Sequence, residues 1–370
     1  MPPALDPVGA IVYRRGAALF DRNRKPPVPG STRPDEDDLI ARFFRPLARD
    51  AGALSLVDDC AELTAPPGSD LVLKTDAVAA GIHFFAEDDW GAVARKALRV
   101  NLSDLAAKGA VPIGYLLTLA LPTDWCEADL ARFAAGLAAD QEAFGLSLYG
   151  GDTIRSPDGL IVSISVFGAV PHGRMVRRAA ARPGDRLYVS GTLGDAALGL
   201  LARTAPERAA AWALDEAEAA HLARRYLLPE PRLPLAPAIL AHARAAMDVS
   251  DGLGLDLTRM CRGSDTAAEI AVATLPLSAA ATRAVAADPA LLETVLGGGD
   301  DYEILAAVSP DSAPRFEADA ARAGVRITEI GRIVERTNVP DVAGGKNSVL
   351  RFLGRDGRSL PLIPGGFRHF

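Results

Sequence analysis

Leu71-Val72-Leu73-Lys74-Thr75-Asp76, with Gly81-Ile82-His83-Phe84 close behind, is the stretch around which this chain is organised. The apolar run reads as a short buried strand ending in an outward-facing Thr75-Asp76 pair. Proteins of the α/β class place function there, beyond the ends of strands. Working outward, five more turns repeat the pattern of an apolar run, a small residue or Gly, then Asp. They are Leu56-Val57-Asp58-Asp59-Cys60, Asn101-Leu102-Ser103-Asp104, Gly150-Gly151-Asp152-Thr153, Asp248-Val249-Ser250-Asp251-Gly252 and Gly297-Gly298-Gly299-Asp300-Asp301. Taken singly, such an Asp is an N-cap or an Asx-turn. Asp104 also has Lys108 one helical turn away as a partner, Asp251-Gly252 is an ordinary turn dipeptide, and Gly297 to Gly299 suit a flexible loop. Six such turns in one chain ask for a common cause.

If the strand ends share one edge, Asp59, Asp76, Asp104 and Asp152 form a carboxylate cluster that repels itself unless cations sit between its members. Oxygen donors without His or Cys select Mg²⁺ or Mn²⁺ over zinc, and Mg²⁺ typically bridges to phosphates. Gly150-Gly151 lets backbone approach a ligand, and Arg177-Arg178 supplies charge-assisted phosphate contacts. Together these residues point to metal-dependent phosphate chemistry. No G-x-x-x-x-G-K-[ST], no helix-opening G-x-G-x-x-G and no G-x-S-x-G is present, which excludes P-loop, dinucleotide-fold and serine-hydrolase readings.

A chain of 370 residues, 49% of them hydrophobic, exceeds one average domain, so two are expected. The net charge of −7 argues against a nucleic-acid surface. Three scattered Cys fit a reduced cytoplasmic compartment, and five His without ligand spacing speak against zinc. No apolar run is long enough to span a bilayer.

Residues 1–34 are rich in Pro and Arg and read as a flexible tail; order is expected from Asp35, with Asp37 or Asp38 capping a helix that buries Leu39, Phe43, Phe44 and Leu47. Alternating strands and helices follow, with a helix from Asp88 to Lys108 stopped by Gly109, another from Glu127 to Phe144, and a strand delivering Gly150-Gly151-Asp152 at its end. A first domain spanning 35–171 and an α/β domain spanning 172–370 are expected, α/β (α+β) in class.

The chain resembles the thiamine-monophosphate kinases, within the superfamily that includes aminoimidazole ribonucleotide synthetase and selenophosphate synthetase. The resemblance runs from about Asp38 to Phe370 on the acidic turns above, on Leu39-Ile40-Ala41-Arg42-Phe43-Phe44, and on the ending Gly366-Phe367-Arg368-His369-Phe370. The His-Phe after the Thr-Asp turn, the Asn-Leu-Ser-Asp helix and the terminal Gly-Phe-x-His-Phe are its most specific parts. It implies transfer of the ATP γ-phosphoryl onto the phosphate of thiamine monophosphate with several Mg²⁺ ions. It also implies a homodimer whose N-terminal domains pair into a β-barrel. Matching positions imply Asp59, Thr75, Asp76, Asp104, Asp152, Asp248 and Asp251 as metal ligands, with Asp76, Asp104 and Asp152 central to catalysis. Gly151, Asp152, Arg178 and Ser250 are implied to touch ATP, and His83, Asp300 and Phe367 the thiamine phosphate.

Three positions depart from the family. Val57 stands where Gly usually precedes the Asp pair, which predicts a strained turn. Lys74 replaces a small hydroxyl residue and brings its own charge to a metal position. Asp300 stands where Glu is common. Two rival readings are a selenophosphate synthetase-like enzyme and a non-catalytic nucleotide or metal sensor. The first wants a reactive Cys in an N-terminal Gly-rich loop, and the tail has none; the second is at odds with the intact carboxylates.

Overall fold

In the computed structural model, residues 36–338 and 349–360 are described; the N-terminal stretch and the ending with Phe367 lie outside them. The first half runs α1 (Glu36–Leu39), β1 (Ser69–Ala79), α2 (Trp90–Ala107), β2 (Val111–Leu121), α3 (Glu127–Phe144), β3 (Ser147–Arg155) and β4 (Ile161–Pro171). The second runs β5 (Arg186–Ser190), α4 (Asp195–Thr204), α5 (Pro206–Ala210), α6 (Glu216–Leu227), α7 (Ala236–His242), β6 (Ala243–Val249) and α8 (Leu253–Gly263). It continues through β7 (Thr266–Ala271), α9 (Ala279–Ala287), α10 (Leu291–Gly297), β8 (Glu303–Val308), α11 (Ala313–Arg322), β9 (Ile327–Glu335), β10 (Leu350–Leu353) and β11 (Ser359–Leu360).

The first four strands form one sheet in the order β1-β4-β2-β3. Strands β2 and β3 are parallel, joined by the α3 crossover, whereas β4 is antiparallel to both β1 and β2. Helix α2 forms because the Asp89 side chain caps the Ala92 amide and Val93, Ala97, Val100 and Leu105 recur on its buried side. Gly109, with φ of +71°, ends it. Helices α2 and α3 cover one face of the sheet, packing Leu98, Leu102, Leu130 and Phe133 against Val72, Val78, Leu117 and Ile164.

Because side chains alternate along a strand, the opposite face carries Leu73, Val111, Leu116, Ile154 and Ile161, all exposed, with Leu73 at 74%. Strand β1 is therefore longer and less buried than the sequence suggests. It runs through Thr75-Asp76 to Ala79, so the pair lies within the strand and its two side chains face opposite ways. Likewise β3 carries Gly150-Gly151-Asp152 within its length. The first helix is also irregular, passing from α1 into a wide turn over Ile40–Phe44 and a tight one over Arg45–Leu47, but it buries Leu39, Phe44 and Leu47.

Five longer strands and the short β10-β11 hairpin form the second sheet, ordered β11-β10-β7-β9-β5-β8-β6. The expected boundary near Pro171 falls between the sheets. The described residues nevertheless cluster as one compact unit. The small Ala106 and Ala107 at the end of α2 permit that, packing directly against Tyr188, Ala246 and Ile304 of the second sheet.

Candidate functional site

Between the inner face of β1, the last turns of α2 and the loops after β6 and α10 lies a cavity of about 1050 Å³. Strand β1 sends Lys74 and Asp76 into it, and α2 sends Asp104. Asp104 sits in the last helical turn, where the helix dipole disfavours an anion, so it depends on a nearby cation. That cation is Lys74: its Nζ lies 2.8 Å from Oδ2 of Asp104 and 3.2 Å from Oδ2 of Asp76. Lys108, the partner available one turn away, donates instead to the Ala246 carbonyl, 2.9 Å away. The two carboxylates hold the Lys74 ammonium above its ordinary pKa although burial opposes this. Asp76 is also shifted upward, by burial first, because Asp104 and Asp251 repel it and Lys74 only partly compensates.

Strand β6 contributes Asp248, 5% exposed, whose carboxyl lies well above the usual range through burial and the neighbouring Asp104. Its Oδ2 is buried and has no hydrogen-bond partner among the described residues. After β6, the Ser250-Asp251-Gly252 turn is pinned by Asp256, whose Oδ2 accepts from the amides of Ser250 (3.0 Å) and Asp251 (2.8 Å). Arg259 donates to Asp251 and, at 2.7 Å, to Asp256. Gly299 fits this turn only without a side chain, since a Cβ there would stand 2.5 Å from the Ser250 carbonyl oxygen. Asp300 and Tyr302, neither of them glycine, hold left-handed backbone at φ of +71° and +50°. Such conformations persist only where surrounding contacts impose them. Here the Asp300 and Tyr302 amides donate to Ser250 and Val249 carbonyls at 2.8 Å each.

At the apolar end, His83, Ile82, Leu200, Tyr226 and Asp300 line the cavity. The His83 Nδ1 accepts from the Ala79 amide at 3.2 Å. Arg178 and Ser250 complete the charged end.

The predicted set is therefore divided. Asp76, Asp104, Asp248, Asp251, Arg178, Ser250, His83 and Asp300 meet in this cavity, whereas Asp59, Gly151 and Asp152 line a second pocket that shares no residue with it. The second pocket opens on the outer face of the first sheet, beside Ser163 and Ser165. Thr75 points to that outer face; its hydroxyl accepts from Ser165 at 3.0 Å and donates to the Ile164 carbonyl at 3.2 Å. Of the four carboxylates expected to cluster, Asp76 and Asp104 line the first cavity and Asp59 and Asp152 the second. At Gly151 a Cβ would lie 1.9 Å from the Leu117 carbonyl oxygen, so its bareness also serves the packing of β3 on β2. Val57 has ordinary right-handed backbone, and the left-handed residues are Leu54, Ser55 and Leu56 before it. Asp256, Arg259 and Tyr226 were missed by sequence reasoning. Only the Asp five residues after Asp251 carried a signal, as an acceptor for a turn opening a helix.

Among the described residues no three carboxylates, His or Cys converge as a ready metal cage. The all-oxygen donors and the unpartnered Asp248 Oδ2 nonetheless fit a hard cation that takes its remaining ligands from phosphate.

Residues 57–170 match the family described as AIR synthase related protein, N-terminal domain, and residues 182–341 its C-terminal domain. The thiamine-monophosphate kinase of Caulobacter vibrioides is 45% identical over 324 residues, 86% of this chain and 90% of that protein. The crystal structure of thiamine-monophosphate kinase from Stenotrophomonas maltophilia superposes with a TM-score of 0.73 at 34% identity, covering 88% of this chain and 96% of that one. The structure of AaThiL complexed with AMPPCP and TMP gives 0.68 at 30% identity, covering 85% and 91%.

Proposed function

The chain belongs to the AIR synthase related family as one of its thiamine-monophosphate kinases, and from that premise we propose how its own residues carry the reaction. It transfers the γ-phosphoryl group of ATP onto the phosphate of thiamine monophosphate, giving thiamine diphosphate and ADP. The acceptor oxygen is already anionic, so no side chain has to remove a proton; positioning and charge neutralisation suffice. The observation that carries the assignment is the cavity itself, where carboxylates at one end meet an apolar wall at the other. Arg178 and Ser250 hold the nucleotide phosphates. His83, Asp300 and, from the ending, Phe367 hold the thiamine phosphate. Asp76, Asp104, Asp248 and Asp251 are the residues to hold Mg²⁺. When bound, Mg²⁺ offsets the charge of the phosphates that these carboxylates would otherwise repel.

In this reading Asp59, Gly151 and Asp152 act on nucleotide or metal from the outer-face pocket that they line, and Thr75 from the same face of the sheet. The exposed apolar row of Leu73, Val111, Leu116, Ile154 and Ile161 supports a homodimer in which this face is covered by a second copy. Three unpaired thiols, Cys60, Cys126 and Cys261, support a reducing, cytoplasmic setting. No helix among the described residues is long and apolar enough to cross a membrane.

The test is coupled ADP release with thiamine monophosphate as acceptor, with thiamine and adenosine as alternatives and EDTA as the metal control. Thiamine diphosphate formed only from the monophosphate and only with Mg²⁺ supports the reading. ATP turnover without an acceptor, or binding without turnover, overturns it.

A further inference from the structure

The charged end of the cavity holds more than carboxylates. The Lys74 ammonium stands between Asp76 and Asp104, in contact with an oxygen of each, and is one-third exposed toward the cavity. Asp104 also acts on Asp248, nine-tenths buried, with an oxygen that no described residue satisfies. Asp104 repels both Asp76 and Asp248, a set that needs positive charge nearby, and Lys74 is the cation in direct contact with Asp76 and Asp104. We propose that Lys74 is a resident cation of the transfer site. It neutralises part of the charge of the Asp76–Asp104 pair permanently, so Asp76, Asp104 and Asp248 together hold one divalent ion fewer than they would without it, completed by phosphate oxygens.

This inference rests on the kinase reading and deepens it. A tethered ammonium differs from a metal in three ways: it has a fixed position, it needs no free Mg²⁺, and it cannot gather six oxygens around itself. The pair it occupies is therefore preorganised before nucleotide arrives, and the chain's demand for free Mg²⁺ falls by one ion.

The test uses the full-length protein without nucleotide, with Mn²⁺ as the probe followed by electron paramagnetic resonance. Lys74→Ser should bind Mn²⁺ roughly ten-fold or more tightly than wild type, because one like charge a few ångströms from the ion is removed. Lys74→Arg should behave as wild type. Thermal melting of each variant establishes that it is folded. Lys74→Gln is the replacement should the Ser variant fail to fold, and it should show the same tightening. A second measurement follows binding of a non-hydrolysable ATP analogue against Mg²⁺ concentration. Its dependence should steepen by about one ion per nucleotide when Lys74 is lost. Equal Mn²⁺ affinity and equal Mg²⁺ dependence in wild type and folded Lys74→Ser overturn the inference while leaving the kinase assignment standing. A wild-type protein that makes no thiamine diphosphate overturns the assignment itself.

Discussion

Nζ of Lys96 lies 2.8 Å from Oδ2 of Asp300, although 204 residues separate them in the chain. The ammonium is almost wholly buried, also donates to the His83 carbonyl at 2.7 Å, and sits 4.1 Å above the ring of Tyr226. One side chain of α2 thus ties together the loop after β1, helix α6 and the loop before β8. Those are the pieces that form the apolar end of the cavity. Asp300, on left-handed backbone, is aimed by this pair rather than by its own chain preference.

Replacing Lys96 by Met should therefore act on the acceptor more than on the nucleotide. With Asp300 no longer anchored, KM for thiamine monophosphate should rise about ten-fold while affinity for an ATP analogue stays within two-fold, a loss of order 1.4 kcal/mol on the acceptor side. Stability should drop by roughly 2 kcal/mol, below the usual cost of breaking a buried pair because Asp300 remains in contact with solvent. Equal losses for both substrates would assign Lys96 a purely structural role.

Asp76→Asn should abolish turnover with the fold intact. The carboxylate faces the cavity beside Lys74 and Asp104, and burial and like charge already raise its pKa. Removing its charge relieves repulsion in the protein without substrates and withdraws a ligand for the cation that would neutralise the phosphoryl group as it moves. A fall in kcat of roughly 100-fold or more, with an unchanged or higher melting temperature, is expected. Activity within a few-fold of wild type would remove Asp76 from the reaction.

Much of this was legible beforehand for physical reasons. Helix α3 was readable to the residue because an acidic first turn and Gly145, left-handed at φ of +68°, mark its ends. The acidic turns marked the site because repeated carboxylates without partners are costly anywhere else. Strand length was not legible: Lys74 and Asp76 on β1 face the cavity, so the polar half of that strand looked like a loop. Nor was β7 legible, since Thr266–Ala271 is half Ala and carries only Thr266 and Ile270 as branched residues. The division of the carboxylates between two faces could not be read without the register, because one residue's shift in a strand reverses every side chain.

Asp256 gives a pH-dependent prediction. Burial pushes its carboxyl up to about 6, so the folded protein binds its proton more readily than the unfolded chain does. The stability this lends is complete below the ordinary carboxylate range near pH 4 and is lost as pH rises through about 6, by at most roughly 3 kcal/mol. Asp256→Asn keeps an oxygen for the Ser250 and Asp251 amides and carries no charge. Between pH 4 and 7, in EDTA, its urea midpoint should fall less than that of wild type. Parallel curves for the two proteins would mean that Asp256 ionises as freely in the fold as outside it.

The outer face of the first sheet yields the last prediction. Leu73 and Leu116 are both exposed and stand on strands flanking β4, with Phe167 and Ser165 of β4 opposite them. A row of large apolar side chains on a sheet face is stable in water only when something covers it. A two-fold axis lets the same patch cover itself, so each Leu meets apolar surface from the other copy. Wild type should therefore sediment at twice the mass of the chain. Leu73→Lys combined with Leu116→Lys places like charges on both copies of the patch and should give monomers. Because both residues are exposed within one copy, the monomer itself should lose little stability, about 0.5 kcal/mol per site. A wild-type monomer, or a double variant that still sediments as a dimer, would show that this face is not the seam.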